Sequence, residues 1–160
     1  LNAQDKYKHT ALHRAAALGQ TEVVRYLLSR QADVNLQNQN GWSALHVACY
    51  YFHQDIVRAL VERNIDLNIP NKDGWTPLHC VAMQGYADLA ALLLQHQAQV
   101  NYQSKDGNTP LHLACQENRT AVVKVLVAGG AALHMVNLKG KRPVDCATAP
   151  DIAKVLTDAM

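Results

Sequence analysis

A chain of 160 residues, 49% hydrophobic and 18% charged, has the make-up of one folded domain and not of a disordered tail. Its 15 basic and 13 acidic side chains are dispersed and leave a formal charge of +2, too little for a phosphate-tracking surface, so nucleic acid is not expected as a partner. Apolar runs such as Leu89 to Leu94 are far shorter than the roughly 20 residues of a membrane helix, the polar start 1–8 is no signal peptide, and four scattered cysteines make no disulfide framework. Membrane insertion is therefore not expected, and the composition reads as intracellular, cytoplasmic or nuclear.

In chain order, Thr10-Ala11-Leu12-His13 opens a predicted helix over 11–18. The string returns as Ser43-Ala44-Leu45-His46, Thr76-Pro77-Leu78-His79 and Thr109-Pro110-Leu111-His112, opening helices over 44–51, 77–84 and 110–117. Arg142-Pro143-Val144-Asp145 is a weaker echo. The starts 10, 43, 76, 109 and 142 differ by 33 each time, with no drift. A second string keeps that phase: Ala32-Asp33-Val34-Asn35, Ile65-Asp66-Leu67-Asn68, Ala98-Gln99-Val100-Asn101 and Ala131-Ala132-Leu133-His134. Such a fixed period marks a repeat architecture.

The third unit shows the local logic. Asn71-Lys72-Asp73-Gly74 is turn chemistry, with Gly74 free to take positive φ at the tip of a hairpin-like finger. Thr76 is suited to cap a helix and Pro77 to occupy its first position, where a missing N–H does no harm. Gly85 ends that helix. The next begins near Asp88 and carries Leu89, Leu92 and Leu93 on one face. Two helices this short cannot bury their own apolar faces, so each unit needs its neighbours.

The two phased strings resemble the ankyrin-repeat family over essentially the whole chain. The resemblance implies an all-α solenoid of helix-turn-helix units with β-hairpin-like finger loops, forming a single domain over 1–160. The repeats fall at about 5–37, 38–70, 71–103 and 104–136, with a cap at 137–160. Leu1-Asn2-Ala3-Gln4-Asp5 aligns with Val34-Asn35-Leu36-Gln37-Asn38, which reads as a fragment of a longer array or as a different N-terminal cap. In the last unit Ile152 and Val155-Leu156 arrive about three residues early, and Asp151, Lys154, Thr157 and Asp158 give its helix the polar side of a capping repeat. The family implies a protein-binding module, an adaptor or scaffold that docks a partner peptide or loop in the groove between fingers and first helices. The alternative is a structural or regulatory spacer within a larger multidomain protein.

Chemistry-bearing residues fit that picture better than an enzyme. His13, His46, His79 and His112 come one per repeat, where the resemblance implies hydrogen bonds to the finger backbone. Packed neighbours lie about 10 Å apart, too far for two imidazoles to share one zinc with bonds of about 2 Å. Cys49, Cys80, Cys115 and Cys146 fall at small-residue positions and are expected to be reduced and buried. No phosphate loop, nucleophile elbow or carboxylate pair is present, so no catalytic residue, metal, cofactor or small-molecule substrate is expected.

In the family the finger tips and the exposed ends of the first helices vary with the partner. Those positions hold Trp42, Tyr50, Tyr51, Trp75 and Met83, an aromatic centre on repeats two and three. Tyr7, Asn40, Lys72, Asp73, Asn108 and Glu117 complete the expected binding set. Trp and Tyr dominate binding hot spots because they bury much area at low entropic cost; bracing of neighbouring repeats is the competing role for the tryptophans. Phe52 stands where Gly19 and Gly85 turn the chain, so either that turn is rearranged or Phe52 compensates for its strain. Asn35, Asn68 and Asn101 occupy a slot that in the family can be hydroxylated, the plainer role being a hydrogen bond within their own turn.

Overall fold

The computed structural model describes residues 1–63 and 65–160. Among the described residues five helix pairs follow one another: α1 (Ala11–Ala17) with α2 (Thr21–Ser29), α3 (Ala44–Tyr50) with α4 (Gln54–Val61), α5 (Pro77–Gln84) with α6 (Ala87–Gln95), α7 (Pro110–Gln116) with α8 (Thr120–Ala128), and α9 (Pro143–Cys146) with α10 (Pro150–Asp158). No strand occurs among the described residues. The first helices pack in series, α1 on α3, α3 on α5, α5 on α7 and α7 on α9, and the second helices do the same from α2 to α10. The result is a helical solenoid in which burial is shared between neighbours. Leu45, Leu78 and Leu111 of the repeated string are fully buried, as are Ile56, Leu89 and Val122 of the second layer. None of the described helices is long and apolar enough to cross a membrane.

The helix starts follow their sequence. At each of the four full repeats the backbone N–H of the capping Thr or Ser donates to the histidine Nδ1, at 3.1–3.2 Å. Nδ1 must then be an acceptor, which makes these imidazoles neutral with the proton on Nε2. That Nε2–H reaches the next finger: Trp42 O at 2.8 Å from His13, Trp75 O at 2.9 Å from His46, Asn108 O at 3.0 Å from His79 and Lys141 O at 2.9 Å from His112. One side chain thus caps its own helix and ties two repeats together. Desolvation is the main cause that lowers His46 and His79 to about 4, and it lowers His13 and His112 as well.

Fingers are braced by a residue at their base. Asp5, Asn38, Asn71 and Asn137 each accept two backbone amides of their own tip, as Asn71 Oδ1 does from Asp73 at 2.9 Å and Trp75 at 2.9 Å. Adjacent fingers join backbone to backbone, Lys72 N to Asn40 O at 3.0 Å and Lys105 N to Asp73 O at 3.0 Å. That approach dictates Gly74: its φ is +78°, and a Cβ there would lie 2.7 Å from Lys105 N. The last pair is shortened in its first helix: α9 has four residues where α7 has seven, which brings Ile152 and Leu156 into the core about three residues early.

Two sequence expectations change in detail, and the alternatives left open at Phe52 are decided. Asn35, Asn68 and Asn101 reach beyond their own turns: their Oδ1 atoms accept from the following repeat, at Asp66 N (2.9 Å), Gln99 N (2.7 Å) and Ala132 N (2.8 Å). Asn2 does the same for Asp33 N at 2.9 Å. The turn at Phe52 is not rearranged; Phe52 takes φ of +61° and its ring lies on Tyr86, centroids 4.4 Å apart. Cys49, Cys80 and Cys115 are buried free thiols, whereas Cys146, the last residue of the four-residue α9, is half-exposed. Burial pushes Cys80 and Cys115 up to about 12.

Candidate binding cleft

Fingers and first helices form the walls of a cleft that lies between the first and second repeats and measures about 440 Å³. Tyr7, His9, His13, Arg14 and Ala17 face it from the first repeat, and Asn38, Asn40, Trp42, Val47, Tyr50 and Tyr51 from the second. Ala17 makes the room. At the same helical position the next repeats carry Tyr50, Met83 and Gln116, so the first repeat alone leaves a short side chain opposite an aromatic one.

The aromatic wall is a contiguous edge-to-face set. Trp42 and Tyr50 have centroids 5.4 Å apart at 76°, and Tyr50 and Tyr51 5.2 Å apart at 83°. Trp42 also leans on His46 at 5.9 Å, which anchors the indole from below. Its position is set twice over, since its backbone N–H donates to Asn38 Oδ1 and its carbonyl accepts from His13. Tyr51 and Tyr7 are exposed, Trp42 and Tyr50 half-buried. Such rings offer area without needing to be ordered on binding.

On the polar side Arg14 Nη2 donates to Asp5 Oδ2 at 2.7 Å. The backbone N–H of His9, then that Arg14 bond, hold Asp5 at about 2, so it is a carboxylate whenever the protein is folded near neutral pH. Arg14 was not legible as a groove residue by the family positions. A signal existed nonetheless: the equivalent residues Val47, Cys80 and Leu113 are apolar and buried, whereas Arg14 is charged and exposed.

The remaining expected residues are spread along the array. Trp75 shares with Trp42, Asn71, Asp73 and Asp106 a shallow depression of about 200 Å³, and its ring lies parallel to His79, centroids 6.4 Å apart. Met83 is half-buried and joins neither lining; its carbonyl accepts from Arg119 Nε at 3.0 Å. Lys72 faces a depression between the second and third fingers, with Lys8. Asn108 lies in a polar cleft beside the last unit, where it accepts from Asn137 Nδ2 at 2.8 Å. Glu117 is exposed at the end of α7. The aromatic centre therefore sits one repeat nearer the N-terminus than the sequence positions imply. Asn35 is exposed, and Asn68 and Asn101 are half-buried. Among the described residues no group of three or more His, Cys, Asp or Glu could hold a metal ion.

A family model described as "Ankyrin repeats (3 copies)" matches residues 1–71, 64–137 and 97–159. No curated protein matches the chain.

Proposed function

Because the chain belongs to the ankyrin-repeat family, we propose that it binds a peptide or loop of another protein in the cleft between its first two repeats. Ankyrin repeats are generally protein–protein interaction modules, and the family is typically non-enzymatic. What supports the location is one observation: Tyr7, Trp42, Tyr50 and Tyr51 line a single cleft of about 440 Å³. A cleft with apolar walls and a few fixed polar groups is the usual shape of a binding site. Trp42 is the central contact and Tyr50 its support, with the Asn40 side chain offering hydrogen bonds to the incoming backbone. Trp75, Asp73, Lys72, Met83, Asn108 and Glu117 lie further along the groove, where they set the register of a longer segment. Bracing and binding are not exclusive for Trp42, since its indole rests on His46 and still faces the cleft.

The experiment compares capture from cell extract by the wild-type chain and by Trp42→Ala and Trp75→Ala, with each variant's unfolding measured alongside. Trp42→Ala is expected to weaken the captured partner by about 2 kcal/mol, roughly 30-fold, as an aromatic hot spot does, with the folded state retained. Trp75→Ala is expected to cost less affinity and more stability. Undiminished capture by folded Trp42→Ala would refute the site. A chain that captures nothing would instead favour a spacer role within a larger protein.

A further inference from the structure

The charges around the cleft say what kind of segment suits it. Lys6, Lys72 and Lys105 occupy the same fingertip position in three repeats, exposed and in no ion pair among the described residues. Lys8 lies beside Lys6 at the first finger, and Lys6 Nζ stands 4.8 Å from the centroid of the Tyr7 ring, which is itself part of the cleft wall. The second finger carries no charge at all, its tip being Gln39 and Asn40. Asp5, two residues before Tyr7, is already engaged by Arg14 at 2.7 Å and by two backbone amides. Unpaired acids of the groove, Asp73, Asp106 and Glu117, belong to the third and fourth repeats. On the Tyr7 side of the aromatic wall the uncompensated charge is therefore positive, while Asp73 and Asp106 stand with Trp75 in the depression beyond Trp42.

The opposite rim is apolar at the same place. Leu18 is 71% exposed, Tyr51 56% and Phe52 42%, whereas the equivalent positions further along are Gln84, Gly85, Glu117 and Asn118. A ligand lying across the first two repeats meets lysines at the fingers and apolar side chains at the helix ends. A cationic ligand on the Tyr7 side meets Asp5, which Arg14 already engages. A nucleic acid would have to follow fingertips on which Asp73 and Asp106 alternate with Lys72 and Lys105, which spoils a phosphate track.

We propose that the occupant of this cleft is an acidic segment of a partner protein. It inserts one large apolar side chain between Tyr7, Trp42, Tyr50 and Tyr51 and lays its carboxylates toward Lys6, Lys8 and Lys72. This rests on the reading of the chain as a peptide-binding module and adds the chemistry of the peptide. The anchor supplies most of the affinity, and the lysines supply selection against basic segments and a faster encounter, since exposed charges steer more than they hold.

The test uses octapeptides with one central Phe flanked by Glu, by Ser or by Lys, a Glu-flanked peptide with Ala in place of Phe, and an oligothymidylate of eight nucleotides. Binding is followed at low salt by the indole N–H resonances, with Trp75→Phe assigning that of Trp42. The expected result is that the Glu-flanked Phe peptide shifts the Trp42 signal and binds at least tenfold more tightly than the Lys-flanked one. The advantage should shrink in 0.5 M salt, vanish with the Ala peptide, and fall in the Lys6→Glu/Lys72→Glu double variant, whose exposed substitutions leave the fold intact. Equal binding of Glu- and Ser-flanked peptides would overturn the acidic assignment and leave the peptide-binding cleft standing. A failure of every peptide to move Trp42 would overturn both, and tighter binding of the oligonucleotide would overturn the choice of a protein ligand.

Discussion

Two residues show how single positions depart from their repeat and what that costs. Phe52 holds φ of +61° where Gly19 and Gly85 turn the chain, and a side chain in that region is strained by about 1–2 kcal/mol. Its ring on Tyr86 at 4.4 Å offsets this, such pairs contributing about 0.5–1.5 kcal/mol. Phe52→Ala keeps the strain and loses the ring contact, whereas Phe52→Gly loses both. Urea unfolding should therefore find the Gly variant more stable than the Ala variant by about 1 kcal/mol; an Ala variant as stable as Gly would show that no strain is present. Ser104 is the other case. It stands where Asn38, Asn71 and Asn137 each brace their finger, but its side chain is too short to reach the tip amides, and its buried Oγ has no partner among the described residues. Asn71 occupies the same slot at 6% exposure, so the slot accepts an Asn. Ser104→Asn is expected to raise stability by about 1 kcal/mol, the usual value of a satisfied buried hydrogen bond, with a matching rise in the thermal midpoint. An unchanged midpoint would mean that the fourth finger tip gains nothing from bracing.

At the scale of elements, each helix pair is held to the next by polar contacts as well as by its apolar face. Asn68 is the clearest, since its Oδ1 accepts from Gln99 N at 2.7 Å across the repeat boundary. Removing it orphans that amide and loosens one junction of the stack. Because the bond is exposed and water can replace it, Asn68→Ala is expected to cost about 0.5–1 kcal/mol. Because repeat arrays are coupled through their neighbours, amide exchange should quicken at Gln99 and at the adjoining finger before it does in α1 or α2. Uniform acceleration along the whole chain would contradict a local clamp. The Gln37 and Gln103 side chains also bridge repeats, donating to Pro70 O at 2.9 Å and Val136 O at 3.2 Å, so no single clamp should be decisive.

For the whole molecule, the neutral histidines couple stability to pH. His46 and His79 sit at about 4 when folded, against roughly 6.5 in an unfolded chain. The unfolded state therefore binds protons more readily, and stability rises with pH over this window. Their contribution is complete above about 6.5 and is lost progressively as pH falls toward 4. Protonation at Nδ1 would also set two donors against each other at the helix caps. The combined loss is expected to be a few kcal/mol, read as a falling urea midpoint between pH 7 and pH 4.5. Asp5 and Asp145, held at about 2 by their hydrogen bonds, act only below that range, between about 4 and 2. A flat profile from pH 7 to 4.5 would rule out the neutral caps. The binding cleft contains one histidine of this kind, since His13 both lines it and carries Trp42 O and is lowered by burial, so partner affinity should weaken once acid protonates it.

Local chemistry and a strict period of 33 residues determined the repeat register and the helix starts, and the family resemblance implied the role of the string histidines. Thr10, Ser43, Thr76 and Thr109 can cap a helix wherever it lies, and Leu12, Leu45, Leu78 and Leu111 must face a core, so those features are legible without coordinates. Only the tertiary structure decided which positions meet across a repeat boundary. Asn35 reaches Asp66, His53 reaches Ala17 O at 3.2 Å, and Ala17 faces Tyr50 across the cleft, all pairings that stacking creates and local pattern does not contain. The aromatic residues were visible in the sequence. Their gathering in one cleft depended on a small side chain in the neighbouring repeat, because the space between two repeats belongs to both.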